Sequence, residues 1–367
     1  MASSAPTAGY SHEDLARFHE SLGRANMRGQ WQNESVRKAN EGGVWEDGTF
    51  APKSGGAGYV WPWQEVHRFL QQSCDAVPES STSRRAIMFN NPGLAKGTTN
   101  TINMGIQMIR PGELAWAHRH SISALRFVIS GDPGICTVVD GIRCAMETGD
   151  LILTPLWMWH DHLNKTDKPA IWLDVLDGPV INMFNQVTFE SYGEKQQPVR
   201  NVAGDGSEGG VRLRYPWREA EAALLALPAA SLSPRDGFVH DYLDAKTGRS
   251  PMPTLGCRLH RLPPGFTGEN HRRTSSAIFH VVRGDGVIEI DGKPLRWTKG
   301  DSFVAPNWSV RRFENTSASA DAVMFSVHDT PLLQNLGILR EDLALTLGSR
   351  RNAVTQSASE TSPNHRQ

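Results

Sequence analysis

Gly112-Glu113-Leu114-Ala115-Trp116-Ala117-His118-Arg119-His120 and Gly149-Asp150-Leu151-Ile152-Leu153-Thr154-Pro155-Leu156-Trp157-Met158-Trp159-His160-Asp161-His162-Leu163-Asn164 decide how this chain reads. His118 and His120 are two residues apart, so on a strand both imidazoles share one face. The second stretch leaves a Gly-Asp turn, runs through an apolar strand and returns His160 at a strand start. Three imidazoles converging inside a β-barrel make a transition-metal site, and imidazole suits Fe, Cu, Zn and Ni. No fourth protein ligand follows, which leaves the open positions a catalytic metal needs.

The rest of the chain narrows the field. With 367 residues there is length for two domains. Thirty-eight basic residues against 39 acidic ones give no electrostatic case for nucleic acid or an anionic membrane as partner. Cys74, Cys136, Cys144 and Cys257 show no metal or disulfide spacing, and predict reduced thiols in a cytoplasmic protein. No secretory signal and no membrane-spanning run is visible. Of 11 tryptophans, Trp116, Trp157, Trp159 and Trp172 flank the motifs, where they could wall a pocket for a flat ligand.

Around the motifs the texture is β. Residues 1–83 predict a lead-in of helix and loop, with a helix over 11–40 that Ser11 could cap and another over 63–74. Residues 84–184 predict short strands with Gly-rich turns, among them the hairpin signal Asp140-Gly141. That pattern argues for an antiparallel barrel or jelly roll. Residues 185–250 predict a connector with a short amphipathic helix, and 346–367 a polar tail. Between them, 251–345 repeats the landmarks as Gly265, His271, Gly284, Gly300-Asp301, Pro306 and Asn315, with a second hairpin signal at Asp291-Gly292. Arg273 and Arg311 stand where His120 and His160 would fall, so this second barrel predicts no metal and a role that is structural or shapes an interface.

The chain therefore resembles a bicupin, an all-β dominated pair of antiparallel jelly-roll barrels behind a helical lead-in. It looks like the gentisate, salicylate and 1-hydroxy-2-naphthoate 1,2-dioxygenases. The resemblance rests on Arg84-Arg85-Ala86, Asn91-Pro92-Gly93-Leu94, Gly105-Ile106-Gln107, His118-Arg119-His120, Ala124-Leu125-Arg126-Phe127, Trp159-His160-Asp161-His162 and Trp172-Leu173-Asp174. It implies Fe(II) on His118, His120 and His160, O2 as co-substrate, a small aromatic acid bound through carboxylate and hydroxyl, ring cleavage between those two carbons, and a homotetramer. Substituted-salicylate members, such as a 5-nitrosalicylate dioxygenase, fall within it.

Other residues take provisional roles. Arg126, at an even offset from His120, could grip the substrate carboxylate bidentately. Arg84 and Arg85 are further carboxylate candidates. Asp174 could pair with Arg126 or orient an imidazole. His162, on the face of His160, reads as an acid–base or hydrogen-bonding group rather than a fourth ligand, and Gln107 as a donor to substrate or oxygen. Asn103, Gly105 and Trp172 are expected to shape the ring pocket. Asn103 departs from the family pattern and favours a polar group para to the hydroxyl. A pocket narrowed by Trp116 would disfavour 1-hydroxy-2-naphthoate. Two other classes stay open: a Zn or Mn isomerase or lyase, and a cupin that binds an aromatic acid without turnover.

Overall fold

A computed structural model describes residues 12–32, 54–77, 85–201 and 212–342. The chain divides into two units, residues 1–53 and 54–367. In the first, His12–Arg24 is an α-helix with Glu13 and Asp14 in its first turn and Arg24 in its last, the order that complements a helix dipole. The sequence predicts helix as far as residue 40, but this one stops at Arg24. Asn26 takes a left-handed φ of 55°, and Met27 N donates back to the Leu22 carbonyl at 2.8 Å, a Schellman stop. Ser11 and residues 33–40 lie outside the described residues.

The second unit is two antiparallel barrels. In the first, a six-stranded sheet runs in the order Arg214–Tyr215, Leu151–Thr154, Ala124–Ser130, Ala170–Leu176, Asn103–Ile109, Ala86–Met88. Facing it is a five-stranded sheet ordered Phe189–Ser191, Leu114–His120, His160–Asn164, Asp132–Val139, Ile142–Met146. The second barrel repeats the six-stranded sheet as Tyr59–Trp61, Ser302–Ala305, Ala277–Arg283, Ala322–His328, Gly256–Leu262, Phe238–Asp241. Both hairpins have positive φ at Asp and Gly (46° and 81°, 50° and 77°), the two-residue turn whose twist suits paired strands.

Alternation sorts the six-stranded sheets into two faces. Met104, Ile106, Leu125, Phe127, Leu173 and Val175 join Leu259, Ile278, Phe325 and Val327 of the second barrel in one buried cluster. Phe127 stacks on Phe325 with centroids 4.1 Å apart. The barrels are thus held back to back by apolar burial, the dominant favourable term in such packing. The opposite face of the first sheet carries Asn103, Gly105, Gln107, Arg126, Thr154, Trp172 and Asp174 into its own barrel.

The duplication also reaches past the predicted boundaries. Tyr59–Trp61, within the expected lead-in, is an edge strand of the second barrel. Arg214–Tyr215, within the expected connector, pairs with Leu151–Thr154 of the first, and Phe238–Asp241 with the second. Tyr59–Trp61 and Arg214–Tyr215 each run through Pro into a helix, Trp63–Ala76 and Trp217–Leu225. Asp301 Oδ1 accepts the Trp63 N–H at 2.7 Å, and Asp150 Oδ1 the Trp217 N–H at 2.9 Å. Those tryptophan rings lie where a side chain on Gly300 or Gly149 would stand, and both glycines have φ near 90°. Only glycine serves there.

Two buried aspartates tie the barrels reciprocally. Asp177 accepts Ser123 N (2.8 Å) and, from the other barrel, Thr254 Oγ1 (2.6 Å). Asp329 accepts Ser276 N (2.9 Å) and, from the first barrel, Thr101 Oγ1. Burial pushes the Asp329 carboxyl up to about 6, above the ~3.9 of an unfolded aspartate. The native state binds this proton more tightly, so the associated stability is complete below about pH 4 and lost as pH rises through 6, on the order of 3 kcal/mol in all. Asp329→Asn keeps the hydrogen-bonding shape without the charge. It is expected to shrink the fall in Tm between pH 5 and pH 7.5; an unchanged fall would contradict the assignment.

Candidate active site

His118, His120 and His160 meet at one end of the first barrel. His118 lies opposite His160 in register, and the ligand-type ring nitrogens of all three lie within 4.8 Å of one another. Each ring is buried and fixed from behind by a main-chain carbonyl. His118 Nδ1 meets Trp116 O at 2.6 Å, His120 Nδ1 meets Ile122 O at 2.7 Å and His160 Nδ1 meets Met158 O at 3.0 Å. A carbonyl accepts only from N–H, so in the neutral ring each Nε2 carries the lone pair a metal requires. His160 Nε2 is buried with no hydrogen-bond partner. Burial, reinforced by Arg126 and the neighbouring imidazoles, holds the His160 pKa well below its usual value and keeps the ring neutral. The donor set therefore fits a divalent transition metal, and among the described residues it is the one group of three or more His, Cys, Asp or Glu side chains arranged for this.

Arg126 stands beside it, 2% exposed. Its Nε is 3.0 Å from Asp174 Oδ1 across the strand pair, and its Nη1 donates to Thr154 Oγ1 at 2.7 Å. Of the two roles open to Asp174, pairing with Arg126 is the one adopted. Gln107 is fully buried, and neither atom of its amide has a partner, an arrangement that asks for a bound group. His162 Nδ1 meets Thr137 Oγ1 at 2.8 Å, and its ring lies 6.2 Å from that of His160, outside the three-histidine group.

The profile of the Cupin domain family matches residues 105–176 and 258–328, one segment in each barrel. A 1-hydroxy-2-naphthoate 1,2-dioxygenase of Nocardioides sp. (strain KP7) is 36% identical over 89% of this chain and 87% of its own length. A 5-aminosalicylate 1,2-dioxygenase of Comamonas sp. is 36% identical over 89% and 90%. The chain belongs to the gentisate and salicylate 1,2-dioxygenase family. The crystal structure of a salicylate 1,2-dioxygenase from Pseudaminobacter salicylatoxidans superposes with a TM-score of 0.77 at 28% identity, covering 91% of this chain and 99% of that one. Members of this family are aromatic ring-cleaving enzymes that incorporate O2, and this chain is one of them.

Several expected site residues of this dioxygenase sit elsewhere. Arg85 forms a buried ion pair with Glu113 and donates to Val77 O, so its guanidinium is engaged outside the site. Arg84 lies outside the described residues. Trp172 is fully buried in the barrel core with its ring 5.1 Å from that of His162. The other motif tryptophans have cationic partners of their own. A bulge puts Ala115, not Trp116, opposite His162, and Lys195 lies 4.8 Å over the Trp116 ring. Trp157 and Trp159 hold the Arg119 guanidinium at 4.5 and 4.4 Å. The argument that Trp116 excludes a two-ring substrate therefore falls.

The point where a Gly178 side chain would begin is 3.6 Å from both Asn103 Nδ2 and Ile122 Cδ1, which sets Asn103 beside the residue whose carbonyl holds His120. Gly105 lies opposite Asp174 and Met88; a side chain there would meet Met88 Sδ at 2.6 Å. Ala86 and Met88 lie opposite Gln107 and Gly105 on the edge strand. Ile87 packs into the inter-barrel cluster, so its two neighbours face the first barrel at the sheet's edge, both exposed. A three-residue strand is too short for alternation to show.

Proposed function

We propose that this enzyme uses Fe(II) on His118, His120 and His160 to open the ring of a salicylate-type acid between its carboxyl- and hydroxyl-bearing carbons. The observation that carries this reading is the buried three-histidine cluster with an ion-paired arginine beside it. No carboxylate joins the cluster among the described residues, so a bound divalent ion keeps its full charge for an anionic substrate. When bound, Fe(II) supplies a Lewis-acidic centre that favours the phenolate and couples the electron-rich ring to O2.

The chain's own residues then bind and orient. Arg126 takes the substrate carboxylate, held in aim by Asp174 and Thr154. The Gln107 amide gains the hydrogen bonds it lacks from substrate or O2. His162, fixed by Thr137 beside the Trp172 ring, holds or passes a proton at Nε2. Asn103 meets a polar substituent para to the hydroxyl, as in gentisate, 5-aminosalicylate or 5-nitrosalicylate. Asn103→Ala is expected to lower kcat/KM for those acids relative to salicylate by about 5–10-fold, the worth of one net hydrogen bond. An unchanged ranking would remove Asn103 from the pocket.

Reconstitution with Fe(II), Mn(II) or Zn(II) separates this reading from a Lewis-acid isomerase. Activity confined to iron and dependent on O2 is expected; equal activity with zinc under nitrogen would overturn it. The four cysteines are all free and buried, which supports a cytoplasmic setting, and no helix among the described residues is long and apolar enough to cross a membrane. Met183 (69% exposed), Phe184 (56%) and Phe189 (55%) are large apolar side chains close in sequence at the site's edge, and Phe189 stacks on His118 at 5.2 Å. Such exposure marks an interaction surface, and a second copy of this chain covering it is consistent with a homotetramer. Light scattering is expected to give four times the 40.5 kDa chain mass, and Phe184→Lys a smaller species.

A further inference from the structure

The second barrel repeats the three-histidine site with its charge inverted. His271 and Arg311 face each other across an isolated bridge, as His118 and His160 do in the first barrel. Arg273 stands two residues on, in the place of His120. His271 Nδ1 meets the Glu269 carbonyl at 3.1 Å, matching the support behind His118. Arg311 Nε then donates to His271 Nε2 at 3.3 Å, which uses the retained imidazole's lone pair.

Arg311 is only 3% exposed, and its Nη1 has no hydrogen-bond partner. Among the described residues no carboxylate oxygen lies within 4 Å of its guanidinium. Its neighbours are matched: Arg273 pairs with Asp236 at 2.6 Å and Glu341 at 2.5 Å, and Arg258 with Asp241 at 2.6 Å. Burial lowers the Arg311 pKa only to about 10, so the cation persists at neutral pH. His328, 6% exposed, has neither ring nitrogen bonded, and burial keeps it neutral with one N–H to donate. A buried charge without a partner and a buried donor without an acceptor are both costly. One small anion would relieve both.

The space agrees. Arg258, Arg273, Arg311, His260, His328 and Asp236 line a single cavity. Asp236 is its one lining carboxylate against three guanidiniums, while Asp241 and Glu341 lie outside the lining with side chains 40% exposed. The cavity offers about 10 Å³ to the centre of a water-sized sphere. That is room for one water-sized occupant, and not for an aromatic acid. We propose that the second barrel binds one monatomic anion, a halide such as chloride, between Arg311 and His328, at the place where the first barrel gathers its metal ligands.

The test uses the iron-loaded full-length protein at constant ionic strength in sodium chloride, sodium bromide or sodium gluconate, gluconate being too large for the cavity. Tm is expected to be higher in both halides and to rise with halide concentration, as for any ligand that binds only the native state. Arg311→Leu is expected to lose this halide dependence. Wild-type crystals grown in bromide need no variant: an anomalous peak is expected within hydrogen-bonding reach of Arg311 Nη1 and the His328 ring. A cavity peak together with halide-specific stabilisation supports the site. No bromide in the cavity, or equal melting in halide and gluconate, overturns it.

Discussion

His160→Ala protein is expected to leave anaerobic Fe(II) reconstitution with under about a tenth of the wild-type metal and no measurable O2 uptake. The loss of a mere outer-shell partner costs 10–100-fold in metal affinity, so the loss of a ligand must cost more. No replacement stands ready. The cluster has three members, His162 is held by Thr137, and among the described residues no carboxylate belongs to it. His118→Ala is expected to behave alike, since its ring lies 4.2 Å from that of His160. His67→Ala, on the helix Trp63–Ala76 outside the barrel, serves as the control and should retain its metal. Metal content by atomic absorption, with circular dichroism to show the barrel intact, decides the matter. Full metal in His160→Ala would mean that the ion is held elsewhere.

The second large effect concerns Arg126. A charge-assisted hydrogen bond to a carboxylate contributes ~1.5–3 kcal/mol, so loss of the guanidinium should raise KM about 10–100-fold while metal content stays constant. Arg126→Ala removes it outright, but also strands Asp174 as a buried, unpaired carboxylate, which can cost about 3–5 kcal/mol of stability. Arg126→Lys answers that objection. Lysine keeps the charge beside Asp174 and loses the planar fork, so its KM should still rise about tenfold with a nearly normal Tm. A purely structural Arg126 would show the reverse: lowered Tm in the alanine variant and unchanged KM in both.

The contrast between the two barrels explains how much of this was legible in the sequence. Turn chemistry is local, so Asp140-Gly141, Asp291-Gly292 and the Gly-Asp turns gave away both barrels. The three-histidine cluster was legible because HxH on a strand has one geometric meaning, and His160 returns at a matching landmark. The boundaries failed because strand exchange is not local. Nothing within Tyr59–Trp61 says that its partner is Ser302–Ala305, although Trp61-Pro62-Trp63 and Tyr215-Pro216-Trp217 are a repeat that could have been seen. Trp116 misled because a bulge breaks the alternation between Ala115 and His118. Arg85 misled because only the folded chain brings Glu113 to it.

The central claim is dioxygen insertion at a three-histidine iron centre, and 18O2 labelling tests it most directly. Protein reconstituted anaerobically with Fe(II) would receive 18O2 and, in turn, salicylate, gentisate, 5-aminosalicylate, 5-nitrosalicylate, 5-chlorosalicylate and 1-hydroxy-2-naphthoate. The account predicts one O2 consumed per substrate with at least one of these acids, and a ring-opened product that carries both labelled atoms before exchange with water. No uptake with any of them by fully iron-loaded protein, or a product with its ring intact, would contradict it.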